Sequence, residues 1–177
     1  MSSGLLSRLM AISGRVMNRH PILKKIISGG QTGADRAALD FAIAHQIAHG
    51  GWCPAGRIAE DKAIEPHYQL EETPSHYYAE RTEWNVRDSH GTLIFCRIKE
   101  LSGGVRLTAE FAAAHKKPWL LICRENHAEA AAQIEKFLVT HQVAILNVAG
   151  PRLSTDPAIV DFTKGALRAW WKLTHGK

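Results

Sequence analysis

Apolar runs of strand length, separated by stretches of helical spacing, constrain this chain more than any other feature. Residues 25–27, 91–96, 118–123 and 143–148 are nearly continuous apolar runs rather than alternating ones, as in strands buried on both faces. Between them lie segments expected to be helical: 34–46, with Ala38, Leu39, Ala42 and Ile43 on one stripe; 77–88; a helix entered through Ser102-Gly103-Gly104 and running to 114; and 128–140, with Asn126 as its cap. A short strand is expected over 47–52, ended by Cys53-Pro54. The last helix is expected to open with Asp156 at the cap and Pro157 at the first helical position. Strands alternating with helices imply an α/β, three-layer Rossmann-like fold with a mainly parallel sheet covered by helices on both faces. Residues 55–76 fit neither period, and a loop of that length in a small domain usually has a job or is disordered.

A chain of 177 residues, 45% of them apolar, buries one ordinary core. The expected organisation is a basic, poorly ordered extension over residues 1–20 followed by one ligand-binding domain over 21–177. The net charge of +5 suggests nucleic acid until its position is considered. Arg8, Arg15, Arg19, Lys24 and Lys25 fall in the first 25 residues with no acid among them, and the remainder balances 17 bases against 17 acids. Affinity for a polyanion needs many phosphates neutralised, so a nucleic-acid partner is not expected. The opening segment reads as a transit peptide or amphipathic helix might be written, yet Met17 just before the first strand equally fits an upstream start. No apolar stretch approaches the roughly 20 residues of a membrane span, so no membrane partner is expected and the location expected is cytoplasmic.

The run Lys25-Ile26-Ile27-Ser28-Gly29-Gly30-Gln31-Thr32-Gly33-Ala34-Asp35-Arg36 reads as strand, glycine loop and helix opening, the architecture of an anion seat. Gly29, Gly30 and Gly33 can take positive φ and let a ligand approach the backbone, while Thr32 adds a hydroxyl and the first helical N–H groups face the same spot. The spacing is neither G-x-G-x-x-G nor a Walker loop. In open α/β sheets ligands lie beyond the carboxyl ends of the strands. Segments 29–35, 52–57, 101–108 and 147–152 all belong on that rim. They bring Gln31, Arg57, Ser102, Asn147 and Gly150 to it, and Arg36 follows the first of them. Gly103 and Gly104 form a second glycine loop with Thr108 one turn inside, and Arg152 is a charged fork suited to phosphate. Arg81, Asn85 and Asp88 share one helical face.

Catalysis is less visible than binding. Asp35, Glu60, Asp61 and Glu110 are the carboxylates available for acid–base work, and the helix dipole by itself accounts for Asp35 in a first turn. Ser28 lacks the G-x-S-x-G elbow. Cys53, Cys96 and Cys123 are too widely spaced for a disulfide framework or a structural zinc site. The ten histidines show no H-E-x-x-H spacing, so no metal bound directly by protein ligands is expected.

Four blocks carry a family resemblance: residues 27–36 (Ile-Ser-Gly-Gly-Gln-Thr-Gly-Ala-Asp-Arg); Gly50-Gly51-Trp52-Cys53-Pro54 with Gly56-Arg57 and Ala59-Glu60-Asp61; residues 81–88 (Arg-Thr-Glu-Trp-Asn-Val-Arg-Asp); and Asn147-Val148-Ala149-Gly150-Pro151-Arg152. Together they resemble the molybdenum carrier family. That family looks like a circularly permuted branch of the Rossmann-like superfamily containing the lysine-decarboxylase-like, Lonely Guy proteins. The resemblance spans residues 24–172. It implies non-catalytic binding, storage or delivery of the molybdenum cofactor (molybdopterin) by a homo-oligomer, a dimer or tetramer, with a molybdoenzyme as acceptor. In that reading Gly29, Gly30, Thr32 and Gly33 cradle the phosphate, with Gly103, Gly104 and Thr108 opposite, and molybdenum arrives inside the cofactor. Val105 stands where relatives often carry threonine. The superfamily's enzymes are similar in a Gly-Gly-x-Gly-Thr-x-x-Glu pattern, to which Gly103, Gly104 and Glu110 conform while Arg106 and Leu107 do not. The alternative implied is nucleotide binding, or N-glycosidic hydrolysis of a nucleoside monophosphate with Glu110 as acid or base. A nucleotide-sensing module is a third reading.

Overall fold

The structure is a computed structural model and describes residues 23–176; the extension expected over 1–20 lies outside the described residues. Chain order is β1 (Lys25–Ile27), α1 (Ala34–Ala44), β2 (Ala48–Gly50), β3 (Trp52–Cys53), β4 (Glu71–Glu72), α2 (Tyr78–Arg87), β5 (Gly91–Cys96), α3 (Gly103–Ala114), β6 (Trp119–Cys123), α4 (Ala130–Thr140), β7 (Ile145–Ala149) and α5 (Ile159–His175). Five strands form a parallel sheet in the order β2-β1-β7-β5-β6, and β3 and β4 pair separately. The fold is the α/β Rossmann-like arrangement that the apolar runs imply.

Successive residues of a strand point to opposite faces. Leu93 and Phe95 of β5 therefore pack into a core shared with Ala38 and Phe41 of α1, Ile134 and Leu138 of α4, and Leu167 and Trp170 of α5. Ile94 between them faces Val105 and Ala109 of α3. Helices thus cover both faces, α1, α4 and α5 on one and α2 and α3 on the other. The chain leaves β5 toward one face and β7 toward the other, which makes the gap between these neighbouring strands a topological switch point.

Two local readings differ from the sequence expectation. The strand expected over 47–52 is split at Gly51, whose φ of 123° turns the chain; a Cβ there would collide with the Ser28 carbonyl. β3 consequently leaves the main sheet and pairs with β4, Trp52 opposite Glu71 and Cys53 opposite Glu72. The segment that shows no periodicity is a folded strap. Ile64, Tyr68 and Leu70 bury against Leu39 and Cys53. Near the C-terminus, α5 begins three residues after Asp156. The Asp156 carbonyl accepts from Ile159 N at 3.1 Å and its Oδ1 from Ala158 N at 3.2 Å, so the residue organises the turn before the helix. At α4 a 3-10 turn over Arg124–Glu129 precedes the helix, and the Asn126 side chain expected to cap it lies outside the described residues.

Gly33, at the entry to α1, has φ 83° and ψ −130°, a backbone region that L side chains avoid, and a Cβ there would strike the Pro151 carbonyl oxygen. Gly33→Ala is expected to lower unfolding free energy by at least about 2 kcal/mol, read from the urea midpoint at unchanged slope. An unchanged midpoint would mean that the 151–154 loop yields without cost.

Candidate functional site

The glycine loop does take its tight turn: Gly30 and Gly33 have φ of 72° and 83°. Gly29 does not, contrary to the expectation from sequence; it is glycine because the Arg81 guanidinium lies where a Cβ would be. Arg81 reaches there from α2 and donates from Nη1 to Asp35 Oδ2 at 3.1 Å. Asp35 is 3% exposed, so the helix dipole is only part of its role. Burial pushes its carboxyl up, and Arg81 together with the Gln31 amide, which donates at 3.3 Å, pulls it back.

Two further backbone donors of this segment are also engaged. Thr32 N donates to its neighbour's Gln31 Oε1 at 3.0 Å, and the same oxygen accepts Glu60 N at 2.9 Å. Ala34 N donates to the Pro151 carbonyl at 3.2 Å. Arg36 bonds Gly30 O at 3.0 Å and grips Asp61 through both Nη1 and Nη2, at 2.7 and 2.9 Å. The carboxylate of Glu60 lies against Thr32 at one edge of this loop. Thr32 Oγ1 and Ser154 Oγ donate to it, Ser154 N donates at 3.1 Å, and Arg152 Nε stands 3.7 Å away. These bonds outweigh burial and hold the Glu60 carboxyl below its ordinary range. Residues 60 and 151–154 thus meet the glycine loop along one side, through Gln31, Thr32 and Ala34.

Several other residues expected at a ligand serve the frame. Arg57 donates to four carbonyls of the strap, those of Ile64, Leu70, Glu65 and Tyr68, at 2.9–3.1 Å; its fork is spent on the backbone that closes around it. Asn85 bridges α2 to β3, its Nδ2 donating to Trp52 O at 2.8 Å while its Oδ1 accepts Trp52 N at 2.9 Å. Asn147 donates to Thr92 Oγ1 inside the sheet at 3.2 Å, and Thr108 bonds back to the Gly104 carbonyl at 2.8 Å. Gly150 packs against Ala34 and Phe95, leaving no room for a side chain. Asp88 faces outward, accepting from Trp52 Nε1 at 2.7 Å and from Arg87.

One open feature of the carboxyl rim is a cleft of about 240 Å³ at the switch point between β5 and β7. Cys96, Arg97 and Glu100 line it from the β5 side, Ser102 and Val105 from the start of α3, and Pro151, Thr155 and Asp156 from the loop after β7. Pro151 joins it to the glycine loop on the other side of the same segment. Gly103 and Gly104 lie at the α3 N-terminus, where added Cβ atoms would meet nothing within 4 Å. Arg152, next in the chain to Pro151, is half exposed and does not line the cleft; its Nε faces Glu60. Thr155 and Asp156 were invisible as site residues in the sequence, where Asp156-Pro157 reads as a helix start.

Glu110 is 60% exposed and pairs with Arg106 one helical turn away at 3.5 Å; it is not among the lining residues. The free thiols of Cys96 and Cys123 face each other across β5 and β6 with sulfurs 2.7 Å apart, and burial pushes the Cys96 thiol up, away from nucleophilic use. Among the described residues no group of three or more His, Cys, Asp or Glu side chains is placed to hold a metal, and no helix is long and apolar enough to cross a membrane.

The model of the circularly permuted YpsA SLOG family matches residues 26–171. The crystal structure of a "putative molybdenum carrier protein" from Syntrophus aciditrophicus SB is similar over 87% of this chain and 98% of its own, with 49% identity and a TM-score of 0.84. No curated protein sequence matches significantly.

The Glu60 clamp has a pH signature. A carboxyl held below its unfolded value, about 4.3 for glutamate, contributes stability above that value and loses it as pH falls through the lowered one. Thermal unfolding of the parent chain and Glu60→Gln is expected to differ most at neutral pH and to converge below about pH 4. A difference independent of pH would exclude the ionised clamp.

Proposed function

The chain belongs to the circularly permuted YpsA SLOG family, and on that premise we propose that it binds the molybdenum cofactor without transforming it, for storage or delivery. The observation that carries this reading is the 49% identity, across nearly the whole of both chains, to a protein named as a molybdenum carrier. The site proposed is the cleft between β5 and β7. A volume of about 240 Å³ is below the roughly 300–1,000 Å³ of pockets that enclose a drug-sized ligand. The cleft therefore takes one end of the molecule, and the rest lies along its mouth near Arg97 and Arg152.

For the phosphate the reading turns from the first glycine loop to the second. Gln31 N, Thr32 N and Thr32 Oγ1 already serve Asp35, Gln31 and Glu60, whereas the α3 N-terminus presents two glycines with no side chain in the way. A helix of 12 residues directs its positive end there. Val105 lines the cleft in place of a hydroxyl, so backbone N–H groups carry more of the recognition. Hydrolysis of a nucleotide is less well supported, because Glu110 faces solvent on α3. A homo-oligomer and a molybdoenzyme acceptor belong to the same proposal.

Native mass spectrometry of the full chain purified from cofactor-producing cells tests this directly. A bound mass of pterin with molybdenum is expected, and a nucleotide mass in its place would overturn the reading. Gly104→Ala locates the phosphate: stability is expected to hold or rise by about 0.5–1 kcal/mol, while cofactor affinity falls at least tenfold. Undiminished affinity would place the phosphate elsewhere.

A further inference from the structure

The two edges of the five-stranded sheet differ. β2, at one edge, is three residues long and lies against the strap, where Gln69 N donates to His49 Nε2 at 3.3 Å. β6, at the other, is the five-residue run Trp119–Cys123, with no charge, no proline and no break in its register with β5. Protein edges are commonly short, charged, bulged or covered, because an open apolar strand templates pairing with another chain. Trp119 is 36% exposed, and a hollow of about 380 Å³ is lined by Trp119, Leu120, Leu121 and Cys123 with Lys99 and Gln133. Since successive strand residues point to opposite faces, a hollow that touches 119, 120 and 121 alike runs along the edge itself.

The ladder fixes which backbone groups that edge presents. Thr92 N donates to Pro118 O at 3.0 Å, so Leu120 and Ile122 turn their N–H and C=O groups toward β5, and Trp119, Leu121 and Cys123 turn theirs away. Among the described residues no strand pairs with β6 on that side. The outward set is symmetric about Leu121. An antiparallel copy related by a two-fold axis at that residue sets Leu121 opposite its own copy, each donating to the other's carbonyl, and Trp119 opposite Cys123, whose N–H meets the Trp119 carbonyl. The same register brings the exposed Lys116, with Lys117 beside it, at the start of one strand to the exposed Glu125 at the end of the other, while Arg124 is already paired with Asp156. Opposite charges thus meet at both ends and apolar residues between them.

We propose that β6 is a self-association surface and that its occupant is a second copy of this chain, paired antiparallel about Leu121 so that two five-stranded sheets become one continuous sheet. The interface is isologous, as in closed two-fold dimers. A copy is selected over an unrelated strand because the outward backbone groups and the terminal charges both find their complements under the same two-fold. This gives the homo-oligomer of the proposed function its surface and rests on that part of it; it does not depend on which ligand the cleft takes.

Sedimentation velocity of the full chain is expected to give twice the chain mass or an even multiple of it. Trp119→Lys, which places on the edge the charge that such edges usually carry, is expected to raise the dimer dissociation constant at least tenfold while circular dichroism shows the variant folded. Leu121→Cys is expected to form a covalent dimer under mild oxidation, because residues paired through both hydrogen bonds have Cα atoms about 5.5 Å apart, inside the span of a disulfide. Leu120→Cys, whose copy lies diagonally across, is expected not to link, and peptide mapping shows whether the bridge joins position 121 of both chains. Hydrogen exchange reads the same pairing without substitution: the Leu121 amide is expected to be protected at high concentration and to lose that protection on dilution. A chain that sediments as a monomer at about 100 μM, where even a micromolar interface is populated, overturns the proposal. So does a dimer that Trp119→Lys leaves intact, or one that links through Leu120→Cys and not Leu121→Cys. The two readings fail separately. A dimer formed elsewhere on the surface keeps the homo-oligomer and loses β6, and a monomer that carries molybdenum cofactor in native mass spectra keeps the carrier role.

Discussion

Asp35 sits in the first turn of α1, almost fully buried, and must be satisfied there if the glycine loop is to close at all. Arg81 from α2, Gln31 N and the packing of Gly29 over the guanidinium accomplish this together. The pair joins helices from opposite faces of the sheet at the carboxyl end of β1. Removing one member would leave a buried charge unpaired, which costs far more than the intact pair contributes. The close contact of Gly29 with Arg81 and the bridge from Asn85 to β3 both depend on that helix being held where Arg81 needs it.

Once the first loop is closed in this way, the second layer of polar contacts follows. Gln31 Oε1 receives both Thr32 N and Glu60 N, Arg36 fixes Asp61, and Arg57 gathers the carbonyls of the strap. Glu60 then lies where Thr32, Ser154 and Arg152 converge. Glu60 so placed ties the glycine loop to the segment after β7, where the chain turns from β5 and β7 to opposite faces of the sheet.

Much of this was legible in the residues. The apolar runs at 91–96 and 118–123 state buried parallel strands, and the helical stripes between them state the layers. Segments 29–35 and 101–108 do follow the carboxyl ends of β1 and β5, whereas 52–57 begins in β3 and 147–152 begins within β7. What could not be read was the allocation of each polar group. Arg57 and Arg152 look equally suited to phosphate in the sequence. Only the folded strap shows that Arg57 is committed to four carbonyls while Arg152 stays half exposed. Asn85, Asn147 and Thr108 likewise spend their hydrogen bonds inside the frame. Asp156 was read as a cap, and its buried Oδ2, without a hydrogen-bond partner among the described residues, has no sequence signature, because an absent partner is a property of everything packed around it.

Local chemistry therefore determined which segments are strands, where glycine must turn the chain and which types of polar group reach the rim, since periodicity and backbone preference act over a few residues. Tertiary structure alone decided which of those groups are consumed. Hydrogen-bond partners such as Ser154 and Glu60 lie 94 residues apart, and Arg81 and Asp35 lie 46 apart. Whether a donor faces a ligand or a carboxylate of its own chain is settled only when such distant segments meet in a space too small for both.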